Sequence, residues 1–177
     1  MQMSFEHDFF ERSETLPFFS RGLLIDTGPL FLFLLGKYAP NKLVDFGYTV
    51  QDFSYLIDFL SSIHSNKLVI TPHVFHEFYK HTQKIFANGH SAMLKQMSSE
   101  LKEIHEENIA KDDILHSAYL EMFEIGELSL YLAYHDLPTA ILIDEQRGVF
   151  SGKLRDDDHR LVMNFRSDIV PFMQNLL

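Results

Sequence analysis

Two short apolar runs, LLI at 23–25 and TAILI at 139–143, each stop on an aspartate, Asp26 and Asp144, and they constrain the fold more than any other feature of the chain. Apolar runs of this length, bounded by turn residues, are too short for a helix and suit strands buried on both faces, as in parallel sheets. A third run, KLVI at 67–70, leads into Thr71-Pro72, and RLVMN at 160–164 is a further possible strand. Helical patterns fill the intervals. After Asp26 the Gly28-Pro29 pair turns the chain into a helix over 30–38, with Pro near its first turn. Apolar residues at 53, 56, 57, 60 and 63 repeat with a helical period over 50–64, and the 39–48 interval between them is turn-rich. A helix starts at Pro72 and runs to about Phe86, where Asn88-Gly89 is a plausible stop. Helices are also predicted over 90–107, 111–123 and 126–135, with a last one after the possible fourth strand. Strands alternating with helices predict an α/β domain with a central parallel sheet flanked by helices and joined by right-handed crossovers.

The 177 residues, 46% of them apolar and 23% charged, suit one domain with a substantial core. Residues 22–177 form the expected body. Residues 1–21 read as a lead-in whose aromatic pairs, Phe9-Phe10 and Phe18-Phe19, pack on it. In 90–107, Met93, Leu94, Met97, Leu101 and Ile104 make a stripe that is either core or a surface for a partner or second copy. The absence of Cys removes disulfide and thiol chemistry and, with no signal peptide visible, suits a cytoplasmic protein. The longest apolar run, broken by Asp26, Gly28 and Pro29, is too short to span a bilayer. A net charge of −10 weighs against a broad basic surface for nucleic acid but leaves room for a local basic cleft, and it suits a chain that holds cations.

In open parallel sheets the working groups sit beyond the carboxyl ends of the strands. Asp26 and Asp144 are placed there, Glu77 follows the third run on the ensuing helix, and Glu127 falls in the first turn of a helix just before the Asp144 strand. Taken singly, Asp26 is a natural helix N-cap and Glu127 a favourable partner for a helix dipole. Taken together, the four carboxylates can converge at one sheet edge, where their mutual repulsion calls for a divalent cation. Oxygen ligands favour Mg²⁺ or Mn²⁺ over Zn²⁺.

Other chemistries find no support. HVFHEFYKH lacks the HExxH zinc pattern because position 80 is Lys, and His76 and His81 lie about 140° apart round a helix. A haloacid-dehalogenase phosphatase requires a second acid where Gly28 stands, and neither a P-loop nor a dinucleotide fingerprint is present.

The ordered segments LLIDTGPL, VITPHVFHEF and GELSLYLAYHDLPTAILIDEQRG resemble the PIN domain family over about residues 22–150, with the helical segment 83–123 in a region of variable length. The resemblance implies a PIN-like α/β/α sandwich with three or four acidic residues in one pocket, and metal-dependent endoribonuclease activity, often as the toxin of a toxin–antitoxin pair and also in RNA processing. Carried over by position, Asp26, Glu77, Glu127 and Asp144 would be the catalytic and metal-binding set, with Mg²⁺ or Mn²⁺ as cofactor. Glu127 stands where Asp is usual, in a GE variant. Thr27 and Ser129 would hydrogen-bond ligands or metal waters, and Glu145 would assist. Lys80, Lys84 and Arg147 are the nearest cations in sequence for RNA phosphates, or else part of a solvated surface. The implied partners are RNA, an antitoxin protein and a second copy of the chain. The alternative is a non-catalytic PIN-like binding or scaffold module.

Overall fold

The computed structural model describes residues 14–63, 67–145 and 159–176. The Phe9-Phe10 pair and Arg147 lie outside the described residues. Five strands pair in parallel among the described residues: β1 (Leu23–Ile25), β2 (Leu68–Ile70), β3 (His105–Glu106), β4 (Thr139–Ile143) and β5 (Arg160–Asn164), in the spatial order β3-β2-β1-β4-β5. β1 and β4 are central and every residue in them is buried, which is why both read as unbroken apolar runs. Helices α1 (Thr27–Tyr38), α2 (Val50–Ser62), α3 (Pro72–Phe86), α4 (His90–Glu103), α5 (Lys111–His116), α6 (Ile125–Leu132) and α7 (Val170–Leu176) make the connections and flank the sheet, as an α/β sandwich requires. None among the described residues is long and apolar enough to cross a membrane.

The LFLFLL segment belongs to α1, whose residues Leu30, Phe31, Leu32, Leu34 and Leu35 are all buried. A helix apolar on every side must be surrounded, and α1 packs against α2, α3 and α4. The helix begins at Thr27, so Gly28 and Pro29 lie in its first turn rather than in a separate turn before it. The 39–48 connection contains a 3₁₀ segment, Pro40–Phe46. Phe19 joins the core, and Phe18 packs against it.

The methionine stripe of α4 faces inward. Met97 is fully buried, and Met93, Leu94 and Leu101 pack on the core, which accounts for their spacing without a partner. The predicted helix over 90–107 ends at Glu103, and His105–Glu106 instead forms the edge strand β3. Both of its residues are exposed, so no apolar pattern marks it in the sequence. The helix predicted over 111–123 is likewise short, ending at His116. On the other side of the sheet Arg160, buried in β5, donates to the carbonyls of Tyr131, Ala133 and Leu137 at 2.9–3.2 Å. A cation placed among carbonyls at a helix C-terminus satisfies acceptors the helix cannot, and it fixes α6 against the sheet.

Candidate active site

Chain order reverses between β1 and β4, since β1 runs on to β2 and β3 while β5 lies outside β4. Ligand crevices of open α/β sheets form at such a switch point, outside the carboxyl ends of the strands. Asp26 and Asp144 stand there, one following each strand. The Asp26 backbone extends the ladder by donating its N–H to the Leu142 carbonyl at 2.9 Å.

Asp26 holds the N-cap position of α1, yet its side chain makes no capping bond. Burial raises its pKa to about 7, opposed by the backbone N–H of Thr27 and reinforced by the charges of Glu77, Glu127 and Asp144. The three carboxylates that act on Asp26 are thus the other three of the predicted set. The capping role that makes an aspartate at this position ordinary is not filled.

Glu77 projects from α3 and accepts from the Thr27 hydroxyl through Oε2 at 2.9 Å. Its Oε1 lies 3.8 Å from Nε2 of His81. A Cβ on Gly126 would sit 3.5 Å from Glu77 Oε2, so the first turn of α6 comes up against this carboxylate. Glu127, in that turn, accepts the Glu124 backbone N–H through Oε2 at 3.2 Å. It therefore does serve its helix, as its position suggests. Burial also raises its pKa, with the Glu124 bond opposing and the charges of Glu145, Glu124 and Glu77 adding to the rise. Glu145 accordingly belongs to the electrostatic neighbourhood of Glu127.

Ser129 is fully buried. Its hydroxyl donates to the Gly126 carbonyl at 2.7 Å and shares a 2.6 Å hydrogen bond with Thr71 Oγ1, whose side chain caps α3. Its part is to lock the N-terminal turns of α3 and α6 together, which sets Glu77 beside Glu127. Lys80 and Lys84 are exposed on α3, and neither makes an ion pair among the described residues.

Asp144 has partners that sequence reasoning missed. Tyr48 donates its hydroxyl to Oδ2, and Arg166 donates Nε to both carboxylate oxygens at 3.1 Å each. Burial and the neighbouring Asp144 charge push the Tyr48 phenol well above its ordinary pKa, so it stays a donor. Arg166 stacks over the Tyr48 ring, 4.8 Å from its centroid, and donates Nη2 to the Gly47 carbonyl at 2.9 Å. A signal for Arg166 existed in the sequence, because it follows β5 by two residues at the same sheet edge as Asp26 and Asp144. Tyr48 carried none. Glycine at position 28 is what lets these groups close up: a Cβ there would come within 2.8 Å of the Tyr48 hydroxyl and 3.1 Å of Asp144 Cβ. Asn164, the last residue of β5, donates Nδ2 to the Glu145 carbonyl at 2.7 Å and accepts from the backbone N–H groups of Arg166 and Ser167 at 3.1 and 3.3 Å.

The donor set suits a hard divalent cation in type: its oxygens are carboxylate, and burial, with the like charges around it, raises the Asp26 pKa to about 7. In the conformation seen, no three His, Asp or Glu side chains among the described residues come close enough together to clasp one. Asp26, Glu77, Glu127 and Asp144 are the residues that would hold such an ion, and Asp144 is already paired with Arg166. A cavity of about 290 Å³ bordered by Phe33, Ile57, Leu60, Leu68 and Glu100 shares no lining residue with this crevice.

Comparison with protein-family models, with curated proteins and with solved structures gives no match for this chain. Fold and site together define an open parallel α/β protein with electrostatically coupled carboxylates at its switch point.

Proposed function

We propose that this protein is a Mg²⁺- or Mn²⁺-dependent endoribonuclease of the PIN type, hydrolysing RNA phosphodiester bonds. The observation that carries the reading is the coupling of Asp26 to Glu77, Glu127 and Asp144 at the switch point of the sheet, with the capping role of Asp26 unfilled. A bound divalent cation supplies a more acidic water and offsets charge on the phosphoryl oxygens. Asp26 would have to give up its proton to ligate such an ion. Glu77 has Oε2 committed to Thr27, so Oε1 would be the atom that meets the ion directly, through a water, or by positioning the attacking water. Tyr48 and Arg166 hold the Asp144 carboxylate in a single orientation. A toxin role, an antitoxin partner, a homodimer and a cytoplasmic location belong to the same proposal and rest on the sequence resemblance.

One observation favours the non-catalytic alternative. Arg166 already neutralises Asp144, as a resident cation would in a PIN-like module whose pocket is used for binding alone. Incubation with a panel of structured RNAs, with and without Mn²⁺, separates the two. A nuclease cuts with Mn²⁺, stops with excess chelator, and is inactive as Asp26→Asn or Asp144→Asn. Full cleavage by both variants, or in excess chelator, refutes the proposal.

A further inference from the structure

We infer that Arg166 is the residue beside the acidic set that contacts the substrate's backbone phosphate. The inference rests on the proposed nuclease reading and adds to it the group that brings a polyanion to an acidic site. A phosphodiester chain is repelled by four carboxylates, and a cation fixed beside them lowers that barrier. Lys80 and Lys84, the cations sequence reasoning put forward on α3, make no bond to the set among the described residues. Arg166 is bonded to Asp144 directly.

Its guanidinium is held at three points: Nε on Asp144, Nη2 on the Gly47 carbonyl, and its face on the Tyr48 ring. A planar fork pinned in this way loses little further freedom when it meets an anion. Nη1 makes no hydrogen bond among the described residues, and the side chain remains 42% exposed. The backbone around it is also specialised. Arg166 lies in a π-helical turn, Phe165–Ile169, whose first N–H groups are received by Asn164 Oδ1. Such turns recur at functional sites. Arg160 shows what a purely structural arginine looks like in the same protein, buried and directed at backbone carbonyls.

The test uses the full chain and a labelled single-stranded RNA decamer, with Ca²⁺ in place of Mn²⁺, followed by fluorescence anisotropy over a range of salt concentrations. Arg166→Gln is expected to weaken binding by about tenfold, and to make the slope of log affinity against log salt shallower by about 0.7, the value for one phosphate on a single strand. Arg166→Lys, which keeps the charge and loses the fork, is expected to fall between, with the full slope. A structural role alone would leave the slope unchanged. Circular dichroism melting confirms that each variant is folded, and the Lys variant serves if the Gln variant is not.

Affinity and slope in Arg166→Gln equal to those of wild type overturn the inference, as does a wild-type protein with no affinity for the decamer. The nuclease reading is judged separately, by Mn²⁺-dependent cleavage. Cleavage by wild type with normal RNA binding by Arg166→Gln sinks only the role of Arg166. Loss of binding in Arg166→Gln without cleavage by wild type sinks only the nuclease.

Discussion

The Thr27 hydroxyl donates to Oε2 of Glu77 at 2.9 Å, joining the residue after Asp26 to a carboxylate fifty positions further along the chain. The bond spans the start of α1 and the middle of α3, and it leaves Oε1 as the Glu77 oxygen free of Thr27. Thr27→Val removes the donor and keeps the shape. Urea unfolding should show a loss of about 1 kcal/mol, the usual cost of one hydrogen bond. RNA cleavage should slow by about tenfold in kcat with KM unchanged, a smaller loss than general acid–base groups themselves supply. An unchanged kcat would show that Glu77 needs no such anchor.

Stability should depend on pH through Asp26. Its pKa is 3.8 when unfolded and about 7 when folded. Between those values the native state binds more protons than the unfolded one, so this group lowers stability as pH rises from about 4 to about 7, and adds no further change above. The full effect is on the order of 4 kcal/mol. Asp26→Asn removes the titration. Urea denaturation should find it more stable than wild type at pH 8 and nearly equal at pH 4. Parallel pH profiles for the two proteins would contradict the burial of an ionising Asp26.

Gly28→Ala tests the close approach in the first turn of α1. In a helix interior Ala is normally better than Gly by about 1 kcal/mol. Here the added Cβ meets the Tyr48 hydroxyl at 2.8 Å and Asp144 Cβ at 3.1 Å. Overpacking of this kind costs about 1–3 kcal/mol, so the sign reverses. At Gly89 a Cβ meets nothing within 4 Å, and Gly89→Ala should stay within about 0.5 kcal/mol of wild type. Thermal melts of the two variants make the comparison.

The sheet was readable from the chain because its central strands are buried on both faces: LLI, LVI and TAILI cannot be placed elsewhere. The edge strand β3 was not, since His105 and Glu106 are held by backbone pairing alone and show no side-chain pattern. Asp26 and Asp144 were legible as the residues that follow two buried strands, and they stand directly after β1 and β4. Tyr48 was not, because its role comes from packing between distant segments, ninety-six positions from Asp144. Ser129 shows the opposite failure. A hydroxyl two residues after a site carboxylate reads as a ligand in sequence, but the helix turns it inward, onto Thr71.

Ser129→Ala should therefore cost stability rather than rate. Removing one partner of a buried pair leaves Thr71 Oγ1 without its 2.6 Å contact, at about 1–3 kcal/mol. Urea unfolding should register that loss, while KM for RNA at 20 °C stays close to wild type. A selective rise in KM with unchanged stability would return Ser129 to the binding site.

The central claim is that the crevice between β1 and β4 is built to hold a hard divalent cation. Calorimetric titration of the metal-free protein with Mn²⁺ near pH 6, in two buffers of different ionisation enthalpy, measures both affinity and protons released. Asp26 is mostly protonated at that pH, so uptake should release close to one proton, and Asp26→Asn should lose both the release and most of the affinity. Mn²⁺ binding of equal strength in Asp26→Asn, or no binding by wild type, would contradict the account.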